Sequence, residues 1–119
     1  MENYMVEMRN ITKTFGRVIA NKEVSLAIRK GEIHALLGEN GAGKTTFFNM
    51  ITGFYPTEEG KVFFNGEDLT GKKIDVFCKK GMSRTFQNIR VFSAMTVLEN
   101  CLVGMQKTIK EPLWSTFLR

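Results

Sequence analysis

The stretch GENGAGKTT, residues 38–46, fits the pattern G-x-x-x-x-G-K-[ST]. Glycines allow backbone conformations that are closed to other residues, so that successive N–H groups can converge on an anion. Lys44 adds a point charge for the β- and γ-phosphates of a nucleotide, and Thr45 offers a hydroxyl to Mg²⁺. The pattern therefore predicts a Walker A loop. Its predicted nucleotide-binding residues are Asn40, Gly41, Ala42, Gly43, Lys44, Thr45 and Thr46.

The segments on either side of this loop have the order that the motif requires. Residues 33–37 are apolar apart from one histidine and lie between glycines, which predicts a short strand buried on both faces. Residues 44–52 predict a helix, and Gly53 suits the position just after a helix end. A merely structural glycine-rich turn is the alternative, and the strand–loop–helix order disfavours it. The predicted apolar surface of the helix is Phe47, Phe48, Met50 and Ile51.

The rest of the chain predicts further strands and two helices. Residues 4–15 alternate with a period of two, which predicts an edge strand of an antiparallel sheet, and residues 23–32 repeat the pattern. A strand over residues 60–69 reaches the tight-turn pair Asn65-Gly66. Residues 74–80 predict a helix and residues 82–86 a strand. Thr96 and Glu99 form a capping box that begins a helix over residues 96–105, with Cys101 on its apolar face as a small core residue.

Charge and composition limit the function classes. The net charge of +5 favours anionic partners, although a solvated basic face explains it equally well. No run of five like charges occurs, so we expect no nucleic-acid partner. The N-terminus lacks a signal-peptide pattern, and no apolar stretch reaches the roughly 18 residues of a membrane span. The two cysteines form no metal-site pattern, which predicts a reducing, cytoplasmic location.

Residues 38–70, GENGAGKTTFFNMITGFYPTEEGKVFFNGEDLT, resemble the start of an ABC-type ATP-binding domain. The resemblance rests on the loop itself, then Gly53, the pair Pro56-Thr57, Gly60 and the pair Asn65-Gly66. It implies an α/β fold, a P-loop NTPase core with an antiparallel β-subdomain. The implied divisions are a β-subdomain over about residues 1–32, a P-loop core over about 33–95 and the start of a helical subdomain over about 96–119.

The family resemblance also assigns residues outside the loop. Gln87, in RTFQNIRVFSAMTVLEN, matches the glutamine that begins the family's Q-loop, which implies contact with Mg²⁺ and with the attacking water. Lys44 and Gln87 are thus the predicted catalytic residues, and Thr45 and Gln87 the predicted metal ligands. Phe15 matches the aromatic residue that stacks on adenine, and Val18 is expected to line the same face. Arg84 and Arg90, on either side of Gln87, remain open between phosphate, the Q-loop and an acidic partner.

The resemblance implies ATP and Mg²⁺ as cofactors, and two kinds of protein partner. The segment after Gln87, residues 88–94, is expected to touch a transmembrane permease subunit, and a second ATP-binding subunit is expected in a head-to-tail dimer. The location implied is the inner face of the plasma membrane. The string SRTFQNIRVFSAMTVLENCLVGM is most similar to importers of branched-chain or other hydrophobic amino acids. Soluble ABC-type ATPases of DNA repair, and a non-catalytic nucleotide-binding module, are the alternatives.

Several of the family's motifs do not occur in these 119 residues. The sequence has no L-S-G-G-Q string, no Walker B aspartate at the end of an apolar strand and no catalytic glutamate after it. We therefore expect the chain to be the N-terminal part of the domain. The intact protein is expected to hydrolyse ATP, and these residues alone to turn over little or none.

Overall fold

The computed structural model describes residues 3–88 and 90–105. The chain divides into two compact units, one ending at Arg84 and the other beginning at Thr85. The elements of the first unit are β1 (Tyr4–Phe15), β2 (Val18–Arg29), α1 (Lys44–Ile51), β3 (Glu59–Phe64), β4 (Glu67–Asp68) and α2 (Ile74–Lys80). The second unit contains α3 (Val97–Gly104).

The first unit is built on an antiparallel sheet with the strand order β2-β1-β3-β4. Met8 of β1 lies opposite Leu26 of β2 on one side and opposite Val62 of β3 on the other. The predicted strand over residues 4–15 therefore exists, but its predicted place at the sheet edge is wrong. Its second partner, β3, is distant in sequence, and a local alternation pattern cannot reveal a distant partner.

The turn between β3 and β4 confirms the Asn65-Gly66 prediction. Both residues have positive φ, 48° and 79°. Two successive residues with positive φ define the tight hairpin turn whose twist matches that of its strands. The sequence pair thus closes β3 onto β4, where Phe64 pairs with Glu67.

An apolar core joins α1 to the sheet. Side chains of α1, with Phe47 and Met50 at most 2% exposed, belong to the same buried cluster as the sheet residues Met8, Ile11 and Val62. Phe48 was predicted on this apolar surface, but its side chain is 43% exposed. Burial of large apolar side chains contributes roughly 1.5–3 kcal/mol each, so this cluster fixes α1 on the sheet. The loop before α1 is held in place as a consequence.

Two predicted strands are absent from the structure. Residues 33–37 have no regular secondary structure, with Ile33 100% and Leu37 88% exposed. Residues 82–86 likewise form neither helix nor strand. Among the described residues no strand pairs with either segment. A strand requires a neighbour to pair its N–H and C=O groups, so an apolar run alone does not form one.

Helix α3 begins as its capping box predicts. The Glu99 N–H donates to Thr96 Oγ1 at 3.3 Å, and the Thr96 N–H donates to a Glu99 carboxylate oxygen at 2.6 Å. The predicted apolar face, however, is not a core. Val97 is 83% and Leu98 68% exposed, and Cys101 is also exposed, so its prediction as a core residue is wrong. The sequence pattern correctly predicts a helix, but a local pattern cannot show whether another part of the protein packs against its apolar face.

The cap makes α3 sensitive to pH. Hydrogen bonds from the Thr96 N–H, and then from its hydroxyl, hold the pKa of Glu99 below its usual value. A pKa that is lowered in the folded state stabilises the fold above the usual pKa, and this contribution is lost as pH falls through the folded pKa. We expect the protection factors of the Glu99 and Asn100 amides, which compare their exchange with the intrinsic rate at each pH, to fall as pH is lowered from 5 to 3. Glu99→Gln, which keeps the cap without titrating, is the control and should show no such pH-dependent opening.

Candidate phosphate-binding site

The predicted phosphate-binding loop runs into α1 with its backbone turned by two glycines. Gly41 and Gly43 have φ values of 85° and 83°, in the left-handed region that glycine adopts most readily. The Phe47 N–H donates to the Gly43 carbonyl at 2.9 Å, so α1 begins where the loop ends. No side chain caps this end, and the first turn has no acidic residue. The first N–H groups of α1 and the positive end of its dipole are thus suited to an anion.

Lys44 brings its charge directly to the loop. Its ammonium donates to the carbonyls of Gly38 and Glu39, each at 2.5 Å. The Ala42 N–H also donates to the Glu39 carbonyl, at 3.2 Å, so the loop closes on itself. The ammonium is therefore held at the mouth of the loop, beside the first turn of α1, where it suits a bound polyphosphate.

The two threonines that follow differ in exposure. Thr45 is exposed and Thr46 is half-buried, and both lie in the first turn of α1. Mg²⁺ takes oxygen ligands and usually keeps several waters, binding one or two side chains together with substrate phosphates. An exposed hydroxyl beside the loop fits that donor set. The role of Thr45 as a metal ligand stays a prediction.

Strand β2 packs against the loop at Gly43. An added Cβ at Gly43 would lie 2.2 Å from the Ala20 carbonyl oxygen and 2.9 Å from Asn21 Nδ2. Asn21 is 8% exposed, and its amide donates to the Gly43 carbonyl at 3.3 Å. Asn21 is not among the site residues that the sequence predicts. A polar residue in a strand pattern reads as solvent-facing, and only the fold brings it to the loop.

Loss of the Asn21 amide should loosen the loop. Asn21→Ala removes a buried hydrogen bond to Gly43, and we expect it to lower the free energy of unfolding by about 1 kcal/mol. It should also raise amide exchange across residues 41–43, because the loop loses a tie to β2. Urea denaturation and hydrogen exchange measure both effects. Asn3→Ala, at an exposed asparagine, is the matched control, and an equal loss there would contradict the assignment.

The predicted adenine-binding residues lie at the turn end of the β1–β2 hairpin. Phe15 and Val18 are register partners, and their side chains are 46% and 65% exposed. Val18 lies two residues before Ala20 at the same end of β2, next to an irregularity in its pairing with β1. Ala20 in turn contacts Gly43 through its carbonyl. The fold thus brings the aromatic ring and the phosphate-binding loop to one end of the hairpin.

Comparison with known proteins bears on the family and the fold of the chain. The sequence profile of one protein family, described as ABC transporter, matches residues 21–116. The chain belongs to the ABC transporter family. The solved structure of the ADP conformation of an ABC transporter's ATP-binding cassette superposes with a TM-score of 0.78 at 39% identity, covering 98% of this chain and 46% of that one. The predicted fold class, a partial ABC ATP-binding domain, is confirmed.

Curated relatives within the ABC transporter family carry different solute names. The high-affinity branched-chain amino acid transport ATP-binding protein LivG of Salmonella typhimurium is 39% identical over 119 residues, which is 100% of this chain and 47% of LivG. The xylose import ATP-binding protein XylG of Histophilus somni is 42% identical over 106 residues, 87% of this chain and 21% of XylG. The chain therefore spans about half the length of LivG and about a fifth of XylG.

The remaining predicted site residues lie within six residues of Arg84, the last residue of the first unit in the sequence. Gln87 is exposed and belongs to the second unit, at a bend with Asn88. Arg84 belongs to the first unit, where it donates to Asn49 Oδ1 at 2.5 Å and lies 5.0 Å from the centre of the Phe48 ring. This contact with α1 is none of the three options left open for Arg84, and the choice among them stays a prediction. Arg90 is exposed.

Within residues 3–88 and 90–105, no helix combines the length and the apolar character needed to cross a bilayer.

Proposed function

We propose that the chain binds Mg-ATP as part of the ATP-binding subunit of an ABC importer, whose intact form hydrolyses ATP. The observation that carries the proposal is the loop at the start of α1. There Lys44 lies against the Gly38 and Glu39 carbonyls, and the uncapped helix end is free of acidic residues. A loop of this kind is suited to a triphosphate, because backbone dipoles and the ammonium act on the same anion.

The magnesium ion is proposed to use side-chain oxygens together with the phosphates. Thr45 supplies a hydroxyl from the first turn of α1, and Gln87 supplies an amide oxygen by family resemblance. Both are neutral oxygen donors, which Mg²⁺ accepts when phosphates provide the negative charge. When bound, the ion neutralises charge that develops on the phosphates during transfer.

The base of the nucleotide is proposed to stack on Phe15, beside Val18. Both side chains are substantially exposed, so a flat ligand has access to them. Aromatic stacking suits a nucleobase because each base has a π face, and it contributes roughly 1–3 kcal/mol. The placement of Ala20 against Gly43 supports a single ligand that reaches from the ring to the loop.

The protein partners are proposed to be transmembrane permease subunits and a second ATP-binding subunit, at the inner face of the plasma membrane. The names of LivG and XylG, both ATP-binding proteins of transport systems, support this. The second unit supports it too, because Val91 and Phe92 are 67% and 57% exposed and border a cleft of about 640 Å³. An exposed apolar surface of this kind is typical of a protein-interaction site.

The transported solute is proposed to be a branched-chain or other hydrophobic amino acid. The match to LivG covers the whole chain, and the sequence around Gln87 resembles that of importers of such amino acids. A sugar is the competing solute, because XylG is similarly identical over a slightly shorter stretch. Uptake of labelled leucine and labelled xylose by membranes containing the assembled transporter separates the two.

Isothermal titration calorimetry tests the nucleotide proposal. We expect saturable binding of one Mg-ATP per chain, and phosphate release close to background, because the sequence lacks the L-S-G-G-Q and Walker B motifs. Inorganic tripolyphosphate with Mg²⁺ should compete, because it shares the triphosphate chain. A folded chain that takes up neither ligand at millimolar concentration would contradict the proposal.

A further inference from the structure

A buried lysine lies behind the exposed ring of Phe15. Lys13 is 5% exposed, and its ammonium forms an ion pair with Glu58, whose side chain is 52% exposed. Holding a lysine charge out of water is costly unless the charge is paired. The Walker A loop and the proposed ATP chemistry use neither residue, so the placement of this pair needs its own explanation.

The pair is part of a contact network around Phe15. Lys13 and Phe15 are two residues apart on β1, and the Lys13 ammonium lies 5.4 Å from the centre of the Phe15 ring. A cation at this distance attracts the electron-rich face of an aromatic ring. Tyr55 packs against the same ring, with ring centres 5.6 Å apart and an interplanar angle of 71°. Edge-to-face pairs of this geometry contribute roughly 0.5–1.5 kcal/mol beyond their burial.

The residues behind Phe15 are tied to the helix that carries the phosphate-binding loop. Tyr55 and Glu58 lie on the segment between α1 and β3. The N–H groups of Phe54 and Tyr55 both donate to the Asn49 carbonyl in α1, at 2.8 and 3.0 Å. The segment that contacts the Phe15 ring is therefore tied to α1, the helix whose first turn follows the phosphate-binding loop.

We propose that Lys13, Tyr55 and Glu58 are positioning residues that fix the Phe15 ring in the orientation needed to stack a purine base. This inference rests on the proposed function. Side-chain ordering on binding is costly, so a ring that is already fixed binds its ligand more tightly than a mobile one. The ammonium and Tyr55 hold the ring while leaving it 46% exposed, which provides the open surface for the base.

Two ligands separate base binding from phosphate binding. Titration calorimetry with Mg-ATP and with Mg-tripolyphosphate is carried out on the 119-residue chain and on Lys13→Met, Glu58→Gln and Tyr55→Leu. Each variant should bind Mg-ATP roughly three- to tenfold more weakly, because part of the stacking free energy is lost. Affinity for Mg-tripolyphosphate should stay within about twofold, because the phosphate-binding loop is unchanged. Tyr55→Phe, which keeps the ring, should retain the affinity of the unmodified chain.

Lys61→Met, at an exposed lysine that pairs with Asp68 on the same sheet, should alter neither affinity. Glu58→Gln changes an exposed side chain and so keeps the test informative if Lys13→Met fails to fold. Unchanged Mg-ATP affinity in folded Glu58→Gln and Tyr55→Leu would overturn the inference, as would an equal loss for tripolyphosphate. If the unmodified chain binds neither ligand, the proposed function is overturned, and this inference with it.

Discussion

Replacing Lys44 by alanine is expected to weaken Mg-ATP binding at least about 100-fold. The ammonium is the nearest positive side-chain charge that the loop offers to a triphosphate, and charge-assisted hydrogen bonds contribute roughly 1.5–3 kcal/mol each. Two such bonds account for a change of this size. Calorimetry measures the loss of affinity. The affinity for Mg-tripolyphosphate should fall by a similar factor, because Lys44 acts on the phosphates and not on the base.

The Lys44 result requires a control for folding. The ammonium also holds the Gly38 and Glu39 carbonyls, so its loss can loosen the loop as well as remove the charge. Lys44→Arg keeps the charge but replaces a compact ammonium with a broad planar group, and it should also bind poorly. Lys61→Ala, at an exposed lysine of β3, should leave binding within about twofold of the unmodified chain. Mg-ATP binding by folded Lys44→Ala at the original affinity would contradict the assigned site.

The second large effect is expected at Gly43. Gly43→Ala should lower the free energy of unfolding by about 3 kcal/mol, because the new Cβ would overlap the Ala20 carbonyl in addition to straining φ. This backbone oxygen lies near the start of β2, between Ile19 and Asn21, which both pair with β1, so it cannot move aside without disturbing that pairing. Urea denaturation measures the change. Against a typical total of 5–15 kcal/mol, such a loss is large.

Gly41 provides the matched comparison for Gly43. Its φ is 85°, close to the 83° of Gly43, but an added Cβ would meet nothing within 4 Å. Gly41→Ala should therefore lower the free energy of unfolding by only the cost of the left-handed backbone, about 1–2 kcal/mol. Equal losses for the two variants would mean that the contact between Gly43 and β2 contributes nothing.

Local sequence patterns predicted the features that depend on local interactions. The spacing of the glycines with Lys44 gave the loop and the start of α1, and Thr96 with Glu99 gave the start of α3. The Asn65-Gly66 pair gave the turn between β3 and β4. In each case the residues that set the backbone conformation are neighbours in the chain, so a short window contains the information.

Features that depend on distant partners were not predictable in this way. Residues 33–37 have the composition of a buried strand, yet a strand forms only where another strand accepts its hydrogen bonds. Asn21 and Lys13 both occupy strand positions where polar residues are expected to face water. Their burial comes from contacts with the loop at Gly43 and with Glu58, which only the assembled fold brings near.

The contact between the Ala20 carbonyl and Gly43 has a consequence for how freely this surface can vary. Every residue type carries the same main-chain oxygen, so many different side chains at position 20 would still support the turn behind the phosphates. Position 43 has no such latitude, because any side chain there would intrude on that oxygen. Substitutions at position 20 of β2 can therefore leave the anion-binding loop unchanged, whereas a single added methyl group at position 43 cannot.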